Sequence, residues 1–502
     1  MSAIASSVPE PAPAAPAGSS LAPLRSPIGV ALIAGTVLAS GVASYDAYVV
    51  NVAVPAIGGR FDAGVAAIQW TLTSYLLAVA ALLLIAGALA DRFGRRRVLV
   101  IGLGVMGVAS VLCASASSIE ALIAARAVQG IGAALVVPTS LALLNGTLRA
   151  DDRARGIGVW AGLSTLATTA GPFAGGWLVD QASWRWVFVL NVPLILLALA
   201  ALRHVPETGG ERRSLSLDAI GAVLAVLGLG GVIYALTDGA AAGWTSPQIL
   251  VAFAVGGLSL VALVPAEQRR RAPMLRLSLF ESRQFDAINV VTVLFYGALT
   301  AAGYLLVVEL QLRLGYTATQ AGAALIPVTL VFLVLAPLSG ELVTRVGPRW
   351  PMVAGILLVG ASQVWLAQLD SGSGYVGAIL PAALVRGVGL GLAVTPLTAA
   401  VLAAVGDADL GEASAINDAA SRVGAVIAIA LVPVLIGVSA GSSLADALAT
   451  GYEPAMIVIG GLCAGGALVA WLFVSDRPAT VPRIAAPDRG CALPVLDPKE
   501  KS

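Results

Sequence analysis

The sequence predicts an all-α polytopic membrane protein: fourteen transmembrane helices, built as two pseudo-symmetric six-helix bundles with two further helices inserted between them. Three observations lead there. Of 502 residues, 58% are hydrophobic and only 11% charged, less than half the charged share of soluble domains. The apolar residues gather in runs long enough for a bilayer, whose core of about 30 Å takes about 20 helical residues. And one stretch of the first half returns in the second.

The elements follow in order. Residues 1–27 are rich in Ala, Pro and Ser and lack a basic leading region, so they read as a flexible cytoplasmic tail rather than a cleaved signal. Apolar runs at 28–54, 66–90, 97–117, 120–144, 155–178 and 186–203 make the first bundle, 28–203. Only a few polar residues separate the third run from the fourth, and the arginines at their far ends argue for two helices. Residues 204–284 hold cytoplasmic linkers and the inserted runs, 217–237 and 247–265. Runs at 286–310, 320–344, 350–369, 376–403, 413–438 and 455–474 make the second bundle, 285–474, and 475–502 form a polar cytoplasmic tail. The runs are too long, and alternate too little, for barrel strands.

Orientation follows from the basic residues. With both termini in the cytoplasm, 23 of the 29 fall in cytoplasmic segments; Arg60, Arg185 and Arg313 lie outside, and Arg126, Arg386 and Arg422 remain within spans. That is a strong positive-inside bias; the expected location is a bacterial cell (inner) membrane.

Gly87, Leu89, Arg92, Gly94 and Arg96 recur as Gly340, Leu342, Arg345, Gly347 and Arg349, always 253 residues on, and Arg60 and Arg313 share the offset. Arg126 and Arg386 form a looser echo at an offset of 260. Two related bundles with a site between them is the plan of many secondary transporters.

Composition also excludes. A net charge of +1 argues against a nucleic-acid surface. The two lysines, Lys499 and Lys501, make no phosphate-binding Walker loop. The single histidine, His204, sits beside Arg203 at a helix end and supports neither a catalytic base nor a zinc site. Cys113, Cys463 and Cys491 are too far apart in sequence for a metal motif or disulfide framework. No enzyme, metal or cofactor is expected, and work must draw on an ion gradient or the membrane potential, about 2.3 kcal/mol per charge per 100 mV.

Asp46 stands in the first span, nine residues before Pro55, about 13 Å from its outer end at 1.5 Å per residue. A carboxylate there costs about 2.5–3.5 kcal/mol and must face the bundle interior or a cavity. It is a candidate proton carrier, or else a structurally paired acid. Arg126 needs a carboxylate or carbonyls, and Gln129 shares its helix face; the alternative is a cation snorkelling at the helix start. Glu309, four residues before Arg313, is either a third coupling group or half of a surface pair. Asp418 and Arg422 have the same spacing and neutralise each other. In the turn after the second span, Gly87 and Gly94 allow close approach and a tight bend, while Asp91 accepts from an arginine such as Arg92 or Arg95 or faces a helix N-terminus of the other half. Gly162, Gly171, Pro172, Gly175 and Gly176 give the fifth span a small-residue face, suited to tight helix contact. Substrate contacts are expected from Tyr45, Asn51, Trp70, Tyr75, Gln129, Trp160, Phe295, Tyr296 and Tyr304, aromatic or amide side chains in spans that suit apolar or cationic molecules. Trp184 and Trp186 read as an interfacial belt.

These motifs together resemble the major facilitator superfamily. Gly87–Arg97 looks like its loop signature between the second and third helices. Arg126–Gly132 resembles the fourth-helix motif that the family assigns to proton coupling. Gly162 to Gly176 resembles the fifth-helix antiporter motif. Asp46 with Val49–Pro55 looks like the first-helix motif of the fourteen-helix drug:proton antiporter branch, with Ala47 and Tyr48 where relatives often carry a small residue and Thr. The resemblance implies proton-coupled antiport with export of small amphipathic molecules by alternating access; multidrug efflux or antibiotic resistance is the expected physiology. The partners are the substrate, protons and the lipid bilayer, with no nucleic acid, and a monomer is expected. The rival readings are a proton-coupled importer or symporter of a metabolite on the same fold, and a non-transporting membrane sensor or scaffold.

Overall fold

The computed structural model describes residues 21–209, 218–270, 276–406, 409–439 and 442–476. The tail from 477 with its basic residues and Cys491, the first twenty residues, Arg212, Arg213 and Arg271 lie outside the described residues. Helices account for nearly everything described, and the one β feature there is an isolated bridge between Ala22 and Leu148.

The helices are α1 (Pro27–Phe61), α2 (Val65–Phe93), α3 (Arg95–Ser115), α4 (Ile119–Thr147), α5 (Ala150–Gln181) and α6 (Trp186–Leu202). They continue as α7 (Ala219–Ala242), α8 (Pro247–Gln268), α9 (Arg283–Leu312), α10 (Ala318–Val346), α11 (Arg349–Leu366), α12 (Tyr375–Ala403), α13 (Leu410–Leu435) and α14 (Leu444–Phe473). Each apolar run of the sequence coincides with one of them. Eleven are long and apolar enough to cross a membrane; α5 is rich in Gly, Ser and Thr, and α6 and α11 are shorter.

Local chemistry sets the ends. Ser26 caps α1, its hydroxyl accepting from Gly29 N at 3.1 Å just before Pro27. Ser443 and Asp446 form a capping box that starts α14 well before the apolar run beginning near 455. Gly94 (φ 101°) and Gly347 (φ 82°) end α2 and α10 in a backbone region that disfavours side chains, and they stand 253 residues apart, as the repeat requires. The tail reading fails for residues 21–26. Ala22 N donates to Thr147 O at 2.9 Å, and Leu24 N to Asp152 Oδ2 at 3.0 Å, so this segment is clipped to the α4–α5 turn.

In the first half α1 packs on α4, α5 and α6, and α4 on α2 and α3; in the second, α9 packs on α13 and α14, and α12 on α10 and α11. The halves meet along two seams, α2 with α13 and α5 with α10. The α7–α8 hairpin docks through α7 onto α2 and α13, covering the first seam. Trp70 Nε1 on α2 donates to Asp238 Oδ2 on α7 at 2.7 Å.

Candidate functional site

The first-half charges converge in the bundle interior. Asp46 on α1 and Arg126 on α4 are 0% and 1% exposed and form a direct ion pair. Arg126 Nη1 also donates to Gln129 Oε1 at 2.7 Å, and its Nε to the Thr71 carbonyl at 3.0 Å. Gln129 Nε2 donates to Asp46 Oδ1 at 3.0 Å and to Ser110 Oγ at 2.9 Å. Asn191 Nδ2 on α6 donates to the same carboxylate oxygen at 2.8 Å. The guanidinium lies over the Tyr75 ring, 4.3 Å from its centroid, a cation–π contact in a desolvated site. So the carboxylate is held from α4 and α6, and the snorkelling alternative for Arg126 is excluded by its burial. Asn191, Ser110 and Thr71 were not singled out in the sequence; Asn191 had a signal, as the lone amide in the apolar run of α6.

A cavity of about 240 Å³ lies between the halves. Tyr48, Asn51 and Val52 of α1 and Thr168, Thr169 and Pro172 of α5 line one side; Tyr296, Thr300 and Val307 of α9, Leu325 and Thr329 of α10, and Arg386 and Leu390 of α12 line the other. A second void of about 20 Å³ shares Tyr48, Asn51 and Thr300 and reaches Arg422. Asp46 and Asn51 therefore serve different compartments from different faces of one helix.

Of the nine residues expected at substrate, Asn51 and Tyr296 line the cavity and seven do not. Tyr75 is buried beneath Arg126, its hydroxyl donating to the Ala43 carbonyl at 2.9 Å, and Gln129 belongs to the ion-pair network. Tyr45 packs on Gly171 and donates to the Val187 carbonyl at 3.3 Å. Phe295 is fully buried core. Trp160 donates to Ser40 Oγ at 3.1 Å, and Trp70 turns to the inserted hairpin. Tyr304 accepts from Gln69 Nε2 at 3.2 Å, a hydrogen bond between the halves. In this conformation most of these aromatics fill the bundle interiors instead of lining the cavity.

Other expectations resolve similarly. Glu309 pairs with Arg313 at 2.6 Å, but its side chain is 0% exposed and Oε2 has no partner, so this is no surface pair. Arg422 and Asp418 pair at 3.6 Å. Trp184 is buried against Phe61 and Phe188, not interfacial, while Trp186 is exposed.

The α2–α3 turn takes the arginine alternative. Asp91 Oδ1 accepts from Arg95 Nη2 at 3.0 Å, within the first half, and Arg92 lies against the Phe93 ring. Gly87 has no neighbour that would crowd a Cβ, so close approach does not explain it. Glu207, beyond α6, was not anticipated: its carboxylate accepts from Arg96 N at 2.8 Å and Arg97 N at 3.0 Å, capping α3.

The α5 motif splits its contacts. A Cβ at Gly171 or Gly175 would press on Tyr45 or Val49 of α1, whereas one at Gly176 would lie 2.3 Å from the Ala318 carbonyl of α10. A Cβ at Gly322 would likewise lie 2.2 Å from the Pro172 carbonyl oxygen. Asp180 accepts from Ala318 N at 3.1 Å and from Thr319 N at 2.8 Å. The second seam is thus shut at the end bearing residues 182–185. Towards the opposite, arginine-rich end, Gly158 and Gly162 face open space.

A family model, the Major Facilitator Superfamily, matches residues 36–218 and 288–494, leaving the inserted hairpin between its two segments. The Multidrug resistance protein Stp of Mycobacterium tuberculosis is 34% identical over 84% of this chain and 77% of its own. The Methylenomycin A resistance protein of Bacillus subtilis is 33% identical over 90% of this chain and 96% of its own. Among solved structures, a peptide transporter POT in complex with sulfate aligns with a TM-score of 0.65 at 15% identity, over 90% of this chain and 96% of that one, a likeness of fold alone. With its all-helical fold in two seamed halves, a cavity between them and this match along most of its length, the chain belongs to the major facilitator superfamily and is a multi-pass membrane transporter, not an enzyme.

Proposed function

We propose that the chain is a proton-coupled antiporter that exports small amphipathic molecules by alternating access, with fourteen membrane-crossing helices and both termini cytoplasmic. The observation that carries this reading is the sealed Asp46–Arg126 pair on a helix whose next turns line the cavity. The names of relatives from several bacteria, multidrug or antibiotic resistance proteins, support export as the direction.

Protonation of Asp46 removes the charge that holds α1 to Arg126. Stripping one partner from a buried pair costs about 3–5 kcal/mol, enough to tip a balanced equilibrium between conformations. Arg126 keeps Gln129 and the Thr71 carbonyl, while α1 is released from α4 and carries Tyr48 and Asn51 with it. Cargo in the cavity and the proton on Asp46 thereby act on the same helix. Glu309, buried with one oxygen unpartnered, is the second group we place in the proton path. The α5–α10 contact closes the outer side in this conformation, and the Asp91–Arg95 turn is part of the cytoplasmic gate.

The test is the Asp46→Asn variant in proteoliposomes carrying an imposed pH gradient, with release of protons read on addition of each compound of an antibiotic panel. Export and coupled proton movement are expected to fall at least about tenfold; wild-type coupling in Asp46→Asn would sink the proposal. In cells, collapse of the gradient should raise accumulation of the exported compound; a fall would favour the importer.

A further inference from the structure

The two halves differ at one chemically telling position. In the first, Arg126 has Asp46. Applying the repeat offset of 253 to Asp46 leads to Leu299, and Arg126 echoes Arg386. The geometry matches this correspondence: Arg386 Nη2 donates to the Leu299 carbonyl at 3.0 Å, so the second-half arginine reaches the position where an acid would stand and finds only backbone. Its Nε and Nη1 have no hydrogen-bond partner, and it makes no ion pair among the described residues. The residue is 7% exposed and forms part of the cavity wall. A guanidinium cannot shed its charge, and a buried one without a counter-ion is costly. The other charges nearby have ion pairs of their own, Arg422 with Asp418 and Glu309, through one of its two oxygens, with Arg313.

We propose that Arg386 awaits its counter-ion from the cargo, so that the cavity selects amphipathic carboxylates. The carboxylate seats at Arg386; the apolar body lies between Tyr48, Tyr296, Leu325 and Leu390. Asn51 and Thr329, also in the wall, supply neutral hydrogen-bonding groups. This deepens the export reading and rests on it, in naming the chemical class carried. A guanidinium matched to a carboxylate gives a charge-assisted, two-pronged contact, which an amide of equal size does not reproduce.

The experiment measures binding by titration calorimetry to the purified full-length chain in detergent, with three probes of one shape: 1-naphthylacetate, its uncharged amide 1-naphthylacetamide, and 2-(1-naphthyl)ethylammonium. The carboxylate is expected to bind at least about tenfold tighter than either other probe. Arg386→Gln should bring the carboxylate down to the amide's affinity and leave the amide unchanged, and Arg386→Lys should keep part of the preference. Equal affinities in the unmodified protein, a carboxylate that does not bind, or a preference that survives in Arg386→Gln would each overturn the proposal. Should Arg386→Gln not fold, the three-probe comparison on the unmodified chain decides alone. No gradient is involved, so the preference is read on the unmodified chain independently of proton coupling. A failure of proton coupling and a failure of anion selection are thereby separate results.

Discussion

Adding a single methyl group at Gly176 should change the conformational balance of the transporter, whereas the same change fourteen residues earlier should not. In Gly176→Ala the new Cβ would lie 2.3 Å from the Ala318 carbonyl oxygen, a backbone atom that no rotamer change can move aside. Ordinary contact needs about 1 Å more, so α5 and α10 must part at the closed end of their seam; such overpacking costs about 1–3 kcal/mol. Helix propensity works in the opposite sense, because Ala is favoured over Gly by about 1 kcal/mol within a helix. Gly162→Ala carries the same gain without the clash, since nothing lies within 4 Å of a Cβ there. The difference between the two variants therefore isolates the overlap. A penalty of about 1–3 kcal/mol shifts the equilibrium away from closure of this end by about 5- to 150-fold. Spin labels at residues 182 and 312, just past the end of α5 and at the last residue of α9, read the populations by electron–electron distance. Gly176→Ala should enrich the longer distance, as should Gly322→Ala, whose Cβ meets the Pro172 carbonyl at 2.2 Å; the pair should fall short of additive, because both act on one interface. If Gly176→Ala and Gly162→Ala give the same distance distribution, the seam is not what holds this end shut.

Two further predictions concern residues that the structure added. Asn191→Leu removes a donor to the Asp46 carboxylate at 2.8 Å, and hydrogen bonds to charged groups contribute about 1.5–3 kcal/mol; thermal unfolding in detergent should shift down clearly, and an unchanged midpoint would mean that Asn191 is a bystander. Glu207→Ala strips the cap from the first amides of α3, a loss of about 0.5–2 kcal/mol. Faster hydrogen exchange confined to residues 95–98 should accompany it, and uniform exchange along α3 would argue against the cap.

The helices were readable because lipid leaves the chain little choice: a run of about 20 apolar residues has to satisfy its backbone internally. Where that rule loosens, so does the reading. The start of α14 at Leu444 lay outside the apolar run because Asp446 and Glu453 interrupt it, and only the Ser443 capping box explains why the helix begins there. Asp46, Arg126 and Gln129 were legible for the same reason as the helices, since an ion in hydrocarbon must find company. Ser110 and Thr71 were not: their hydroxyls donate to the intrahelical carbonyls of Met106 and Ile68, and Thr71 meets Arg126 through its backbone carbonyl, which no side-chain pattern reveals. The aromatics misled in a different way. Tyr75 and Phe295 avoid lipid just as Tyr296 does, so periodicity separates lipid from interior but not a bundle's core from its cavity. Asn51, five residues on from Asp46, faces the cavity while Asp46 faces the bundle interior.

The inserted hairpin has a consequence for how cargo could arrive. By lying across α2 and α13 it walls off one flank of the molecule from the acyl chains. The other flank, where α5 and α10 diverge, keeps Leu166, Leu330 and Val334 exposed and has no such cover among the described residues. A greasy compound dissolved in the membrane would thus meet one doorway instead of two, and a bulky residue in that doorway would discriminate between cargo taken from lipid and cargo taken from water.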